Sequence, residues 1–364
     1  MAVSPVSDEL VIRSHRGPYR VVFASGGQAW AGLGATEIGR AHVLIDERVA
    51  ELHAARLSPL LHAASVLRIR ATEDSKSLDR LPAYVEHLVA HGVRRDHVLV
   101  AVGGGIVQDI TCFLAATLLR GVPWKFFPTT LLSQADSCVG SKSSINSGQA
   151  KNILGTFTPP VEVVIDADFL DTLDERDIRS GIGEILKVHA IESVSAFGAL
   201  AADYELLLSD RTVLARYMRK ALEIKKPYVE ADEFDRGKRL IFNYGHSFGH
   251  AIEAATHFAV PHGIAVTIGM DMANHVAAAL GKAPEAHAVR MHPVLRKNFN
   301  GYESRPVPFE PFMAALSKDK KNLGQGSVTL ILPNQEGRLE KGSHPVDERF
   351  RSACRRYLEE SRRA

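Results

Sequence analysis

The chain has 364 residues, 45% of them hydrophobic and 24% charged, which excludes a disordered or collagen-like chain and leaves room for two domains. Lys and Arg (44) barely exceed Asp and Glu (42), so charge gives no reason to expect a nucleic-acid or membrane-surface partner. No apolar run approaches the ~20 residues of a membrane helix. Asp8 and Glu9 lie where a signal peptide would need an apolar stretch. Cys112, Cys138 and Cys354 are odd in number and far apart, which fits a reducing compartment; a cytoplasmic location is expected.

In chain order, Tyr19–Ala24, His42–Asp46, Val66–Ile69, His97–Val102, Lys125–Pro128 and Val161–Asp166 read as short strands. Helical spacing over Val49–Leu61 and Ser77–His91 separates some of them. Strand and helix in alternation predict an α/β fold with a parallel sheet. From Glu175 to Arg216, and over Leu222–Ala231, Ser247–Ala255 and Ile264–Leu280, the spacing is helical. A strand at Ser327–Leu332 and a helix at Val346–Arg363 close the chain. The expected domains are 1–172 and 173–364, with a ligand cleft between them.

Ala101–Asp109 reads AVGGGIVQD. Three glycines between a strand and a helix either cradle a phosphate at the helix N-terminus or simply make a tight turn. The spacing is not the dinucleotide fingerprint GxGxxG. Asp46, at a strand end, is either a ribose ligand or a helix cap. His246 and His250 in GHSFGH are four residues apart, on one helix face, and Pro261-His262-Gly263 adds a third histidine. With Glu184 of GIGEILK they make up the ligand types of a catalytic zinc site; the alternative is a surface histidine pair. Asp136–Asn152 is Ser-, Gly- and Asn-rich with Lys142 and Lys151, either an anion clamp or a solvated loop.

GGGIVQD, PTTLL, GSKSSIN, KN, GIGEILK, FNYGHSFGHAIE and PHG occur in an order and spacing that resemble 3-dehydroquinate synthase and its relatives, the sugar phosphate cyclases. The resemblance runs from about Asp46 to Lys321. It implies an N-terminal parallel-sheet NAD-binding domain and a C-terminal, mainly helical domain holding a divalent metal, zinc or alternatively cobalt. Glu184, His246 and His262 then correspond to the metal ligands. Asp46, Glu73, Lys76, Gly104, Gly105, Asp109, Thr129, Thr130, Lys151 and Thr172 correspond to the NAD residues. Asp136, Lys142, Asn152, Lys187, Lys225, Arg239, Asn243 and His250 correspond to substrate contacts. Lys320 does so too, with Lys321 as the alternative. Arg120 matches the arginine that reaches a neighbouring subunit's phosphate site, which implies a homodimer.

The implied reaction is a sequence on one substrate. A ring hydroxyl is oxidised by NAD, phosphate is eliminated, the hydride returns, the ring opens and an aldol step closes a carbocycle. Lys142, Asn152, Asn243 and His250 would hold the phosphate. Lys225 and Arg239 would meet a carboxylate, which favours 3-deoxy-D-arabino-heptulosonate 7-phosphate. Several positions depart from the common pattern. Ser141 stands for the usual glycine, Ser147–Ala150 for a Pro/Gly turn, Phe242 and Tyr244 for leucine and a small or apolar residue, and Asp177 for glutamate. These keep a cyclase of sedoheptulose 7-phosphate, giving a valiolone-type cyclitol, in view. A metal-dependent, glycerol-dehydrogenase-like polyol oxidoreductase is the other alternative, and the dense cations argue against it.

Overall fold

Strands covered on both faces carry unbroken apolar sequence, and His97–Val102 and its neighbours do so. The computed structural model describes residues 9–24, 33, 35–148, 150–318 and 326–363. Its main sheet contains β1 (Glu9–Ser14), β2 (Gly17–Ala24), β3 (Ala41–Asp46), β4 (Ser65–Ile69), β5 (Val98–Gly103), β6 (Trp124–Pro128) and β9 (Glu162–Asp166). The order is β1-β2-β9-β6-β5-β3-β4, and only β1 runs antiparallel to its neighbour. The chain then folds α1 (Ala35–Ile38), α2 (Glu47–Leu52), α3 (Leu81–Ala90) and α4 (Gly105–Thr117) around it. Val43, Val100, Val102, Phe127 and Val164 form part of one core cluster.

The strand order places a switch point in this sheet. From β3 the chain moves to β4 on one side, then returns to β5 on the other side of β3. A crevice opens outside the carboxyl ends of β3 and β5 at such a reversal, where ligands of open α/β sheets bind. Asp46 ends β3 and Gly103 ends β5.

The second half is helical: α5 (Glu175–Glu192), α6 (Val194–Ala202), α7 (Tyr204–Ser209), α8 (Arg211–Ala231), α9 (His246–Ala255), α10 (His262–Ala279), α11 (Glu285–Asn298), α12 (Phe309–Ser317) and α13 (Glu348–Glu359). An antiparallel pair, β10 (Ser327–Pro333) and β11 (Leu339–Pro345), joins them.

Contacts divide the chain into two compact units, Met1–Leu173 with Lys225–Phe234, and Asp174–Ile224 with Asp235–Ala364. The return of residues 225–234 to the first unit departs from the division expected at 172/173. Ion pairs and a hydrogen bond explain it: Glu230 pairs with Arg13 at 3.0 Å and Lys225 with Asp136 at 2.6 Å, and Glu233 lies 2.9 Å from His15 Nδ1. Other differences are local. The helix expected over Val49–Leu61 stops at Leu52, and a short 3-10 turn, Ser58–His62, follows with Pro59 as its second residue, a residue that cannot continue a helix interior. The polar Asp136–Asn152 stretch includes β7 (Ile145–Ser147), which pairs with β8 (Ala150–Leu154). Strands β1 and β11 were not anticipated; β11, LEKGSHP, is mostly solvent-facing and lacks an apolar run.

Candidate active site

Glu184 lies within α5, while His246 and His262 are the first residues of α9 and α10. Each has a glycine next to it, and these glycines make the helix crossings possible. A Cβ on Gly263 would lie 1.8 Å from the Ser180 carbonyl oxygen, and one on Gly183 would lie 2.2 Å from the Gly263 carbonyl oxygen. Only glycine allows such backbone contact. The Gly263 N–H donates to Ser180 Oγ at 3.0 Å and fixes the crossing of α5 and α10.

The crossing brings the three predicted metal ligands together. Glu184 Oε1 is 3.7 Å from His246 Nε2 and 3.6 Å from His262 Nε2. One ring nitrogen each of His246, His250 and His262 lies within 4.8 Å of the other two. A tetrahedral ion with bonds of about 2.0–2.1 Å spaces its ligands roughly 3.4 Å apart. Donor types and spacing therefore fit a divalent ion such as zinc. The far nitrogens are also engaged. His246 Nδ1 faces the Tyr244 carbonyl at 3.3 Å, and His262 Nδ1 faces both Glu253 oxygens at 3.3 Å. Such partners set the tautomer and aim Nε2 at the metal. Burial disfavours charge on His262, but the Glu253 and Glu184 carboxylates outweigh it and raise its pKa.

Lys187, one turn beyond Glu184, forms a buried ion pair with it and sits over the Phe242 ring at 5.7 Å. Arg239 and Asn243 occupy the 3-10 turn Lys238–Asn243; Arg239 is buried, and Asn243 Nδ2 donates to the Leu240 carbonyl at 2.9 Å. His250 is exposed, one turn beyond His246 on α9.

In the first unit, the glycine turn lies at the switch point. A Cβ on Gly104 would come 3.0 Å from Thr130 Cγ2, whereas one on Gly105 would meet nothing within 4 Å. Gly105 opens α4 and so offers free N–H groups beside open space. Asp46 caps α2 by accepting from the Arg48 N–H at 2.9 Å; burial raises its pKa. Thr129 N–H donates to the Gly103 carbonyl at 3.0 Å.

Glu73, Lys76, Asp109 and Asn152 also come together. Lys76 Nζ donates to Asp109 Oδ2 at 3.0 Å and to Asn152 Oδ1 at 2.9 Å. Asn146, absent from the sequence-derived set, binds Glu73 Oε2 at 2.9 Å and accepts from the Asn152 N–H at 2.8 Å. Asn152 adopts a φ of 52°. Burial raises the Asp109 pKa against the opposing pull of Lys76 and Ser144. Thr172 is placed apart from this network, at 2.9 Å from His53 Nε2. Lys151 and Lys142 are exposed.

Lys225 is engaged twice by Asp136, through Oδ1 at 2.6 Å and the carbonyl oxygen at 2.5 Å. Glu233 also accepts from Ser141, next to Lys142. Arg120 is exposed in a left-handed turn, φ 65°. Lys320 and Lys321 lie outside the described residues. Sequence reasoning missed Glu253, although it follows the histidine pair in the same helix, and it missed Glu233, whose partners are distant in sequence.

Family models described as 3-dehydroquinate synthase N-terminal and 3-dehydroquinate synthase C-terminal match residues 66–180 and 181–322. The chain belongs to the 3-dehydroquinate synthase family. By that membership it is a carbon–oxygen lyase acting on phosphates. A 3-dehydroquinate synthase of Idiomarina loihiensis is 38% identical over 291 residues, 78% of this chain and 81% of its own length. The structure of 2-epi-5-epi-valiolone synthase from Streptomyces hygroscopicus subsp. jinggangensis, with NAD+ and Zn2+ bound, is 27% identical. It superposes with a TM-score of 0.82 over 99% of each chain. Glycerol dehydrogenase from Schizosaccharomyces pombe reaches only 0.59 at 17% identity, over 98% of this chain and 91% of its own, and shares the fold alone. Among the described residues, no helix is long and apolar enough to cross a membrane.

Proposed function

We propose that this family member is a sugar phosphate cyclase that converts 3-deoxy-D-arabino-heptulosonate 7-phosphate to 3-dehydroquinate, using NAD and a divalent metal, zinc or cobalt. The observation that carries the reading is the convergence of Glu184, His246 and His262 at metal-ligand spacing. NAD supplies a reversible hydride acceptor and the metal supplies a Lewis acid toward the ring hydroxyl.

The residues divide the remaining work. Glu184, His246 and His262 hold the metal; Glu253 and the Tyr244 carbonyl fix the two imidazoles. Gly104, Gly105, Thr129 and Thr130 receive the dinucleotide phosphates, and Asp46 the ribose. Glu73, Lys76, Asp109, Lys151 and Thr172 complete the NAD set. Lys142, Asn152, Asn243 and His250 bind the substrate phosphate. Its own oxygen takes the proton on elimination, so no side chain is needed as the base there. Arg239 and Lys225 meet the carboxylate, with Asp136 orienting Lys225. Lys187 offsets the Glu184 charge and lies beside the reacting hydroxyl. Lys320 closes on the substrate, and Arg120 serves the phosphate site of a second copy in a homodimer.

A second reading, closure of sedoheptulose 7-phosphate to a valiolone-type cyclitol, is favoured by the likeness to the valiolone synthase and by Ser141, which ties the Lys142 loop to Glu233. A polyol dehydrogenase is disfavoured by the lower structural likeness and by the buried cations Lys187, Lys225 and Arg239. The test is phosphate release from 3-deoxy-D-arabino-heptulosonate 7-phosphate with NAD and zinc. Release without NADH accumulation is expected. Release only from sedoheptulose 7-phosphate would select the second reading, and net NADH from a polyol would overturn both.

A further inference from the structure

Strands β7 and β8 pair out of step. Ile145 faces Leu154 and Ser147 faces Ala150, so between these pairs β7 has one residue, Asn146, and β8 has three, 151–153. Extra residues on one strand bend it and re-aim its side chains, and such bulges gather beside active sites. Here the bulge carries Lys151 and Asn152, both exposed. Asn152 has a φ of 52°, in the left-handed region that residues other than glycine seldom enter. Such a conformation lasts only where the surroundings over-determine it.

The surroundings do so from one 3-10 turn, Glu73–Lys76. Asn146 is 7% exposed, and its side chain spans from that turn to Asn152. Its Nδ2 donates to the Glu73 carbonyl oxygen at 3.2 Å and to Glu73 Oε2 at 2.9 Å, and its Oδ1 accepts from the Asn152 N–H at 2.8 Å. The far end of the turn grips the Asn152 side chain. Lys76 Nζ donates to Asn152 Oδ1 at 2.9 Å, and Asp109 offsets the lysine charge at 3.0 Å. An ammonium only donates, so it selects the oxygen edge of the amide and turns the N–H2 edge away from itself. Backbone and amide of Asn152 are thus fixed separately, the first by Asn146 and the second by Lys76.

An N–H2 edge held in place suits a phosphate oxygen, which accepts. We propose that Asn146 is a positioning residue for the substrate phosphate. It holds Asn152 in the left-handed conformation from which the Asn152 amide meets that phosphate. This role rests on the reading of Asn152 as a phosphate ligand given above. The phosphate is common to both sugar phosphates considered there, so the role does not depend on which of them is the substrate.

The experiment is calorimetric titration of the full-length protein, with NAD and zinc bound, by inorganic phosphate. Three variants are compared with the unaltered chain: Asn146→Ala, Asn152→Gly, which removes the amide but accommodates the φ, and the two together. Each single variant should bind phosphate about tenfold more weakly, the worth of one hydrogen bond to a charged group. The double variant should bind no more weakly than Asn152→Gly alone, because Asn146 acts only through Asn152; a general structural role would add a further loss. Unchanged affinity in Asn146→Ala overturns the proposal, and so does a further loss in the double variant. Unchanged affinity in Asn152→Gly, or no saturable phosphate binding by the unaltered chain, removes Asn152 from the phosphate site and the proposal with it. If Asn146→Ala alone does not fold, the double variant decides. Glycine relieves the strain at position 152, so the double variant should fold; if it does not, Asn146 supports the fold independently of Asn152 and the proposal falls. Phosphate binding that follows this pattern, without phosphate release from 3-deoxy-D-arabino-heptulosonate 7-phosphate, would strike the proposed substrate alone.

Discussion

Lys187 and Glu184, one turn apart on α5, form an ion pair in which the side chains are 2% and 1% exposed. Breaking such a pair leaves a buried charge uncompensated, at a cost of about 3–5 kcal/mol. Lys187→Met should therefore destabilise the metal-free protein by about that much, and zinc should restore much of the loss because it replaces the missing positive charge. Thermal unfolding with chelator and with zinc measures both. An equal loss in the two conditions would remove Glu184 from the metal site.

Glu253 faces His262 Nδ1 through both oxygens. Replacing it by glutamine keeps the size and removes the charge that orients and polarises the imidazole. Metal affinity should fall about 10–100-fold, the usual effect of losing a carboxylate behind a ligating histidine. The melting temperature of the metal-free protein should change far less. Competition against a chelator of known affinity reads this out, and unchanged affinity would mean that His262 does not bind the ion.

Two glycines should respond in opposite ways to alanine. Gly263→Ala places a Cβ 1.8 Å from a backbone oxygen of α5, so the protein should unfold or lose several kcal/mol, as overpacked cores do. Gly105→Ala meets nothing within 4 Å and puts a better helix former into α4, so stability should hold or rise slightly. Its NAD affinity should nonetheless fall about tenfold or more, because the methyl fills the approach to the α4 N-terminus. Equilibrium binding of NAD and a melting curve suffice; undiminished affinity would place the pyrophosphate elsewhere.

Stability should depend on acid through histidines that fold in neutral form. Burial, with the repulsion of His97, lowers His42 to about 4 from an ordinary 6.5, and burial, with Arg290, lowers His287 to about 4. Between those values the unfolded chain binds more protons than the folded one, so stability rises with pH there. The contribution is complete above about 6.5 and is lost as pH falls toward 4. Urea unfolding at pH 7 and pH 5 should show the decrease, by a few kcal/mol at most. In His42→Gln the slope should flatten, since the amide can still reach Ser65 and His97 but does not titrate. An unchanged slope would refute the contribution of His42.

The parts of this protein legible in sequence are those with a local signature. Buried parallel strands such as Val98–Gly103 are continuous apolar runs, and His246 and His250 are spaced to share a helix face, as they do on α9. Strand β11 has no such signature because its side chains mostly face solvent. The β7–β8 pair is hidden by polar, glycine-containing sequence. Glu253 was within reach, because a residue seven places after His246 falls on the same face; nothing but the fold, however, distinguishes it from an ordinary helical glutamate. Asp46 shows the opposite limit: the strand end left a ribose ligand or a helix cap open, and the side chain there caps α2. The bond between Arg13 and Glu230 spans 217 positions, so no window along the chain can reveal it.

That last bond bears on how the molecule can be dissected. The polypeptide crosses between its two units at 173/174, 224/225 and 234/235. A fragment cut after Leu173 would lack the side chains that pair with Arg13, His15 and Asp136 in the intact protein. A fragment beginning at Asp174 would carry those partners away as a tethered, mismatched loop. The first unit is thus assembled from two separate stretches of chain. Any attempt to shuffle the first unit between relatives must transplant residues 225–234 with it, and with them Lys225, the residue proposed above to meet the substrate carboxylate.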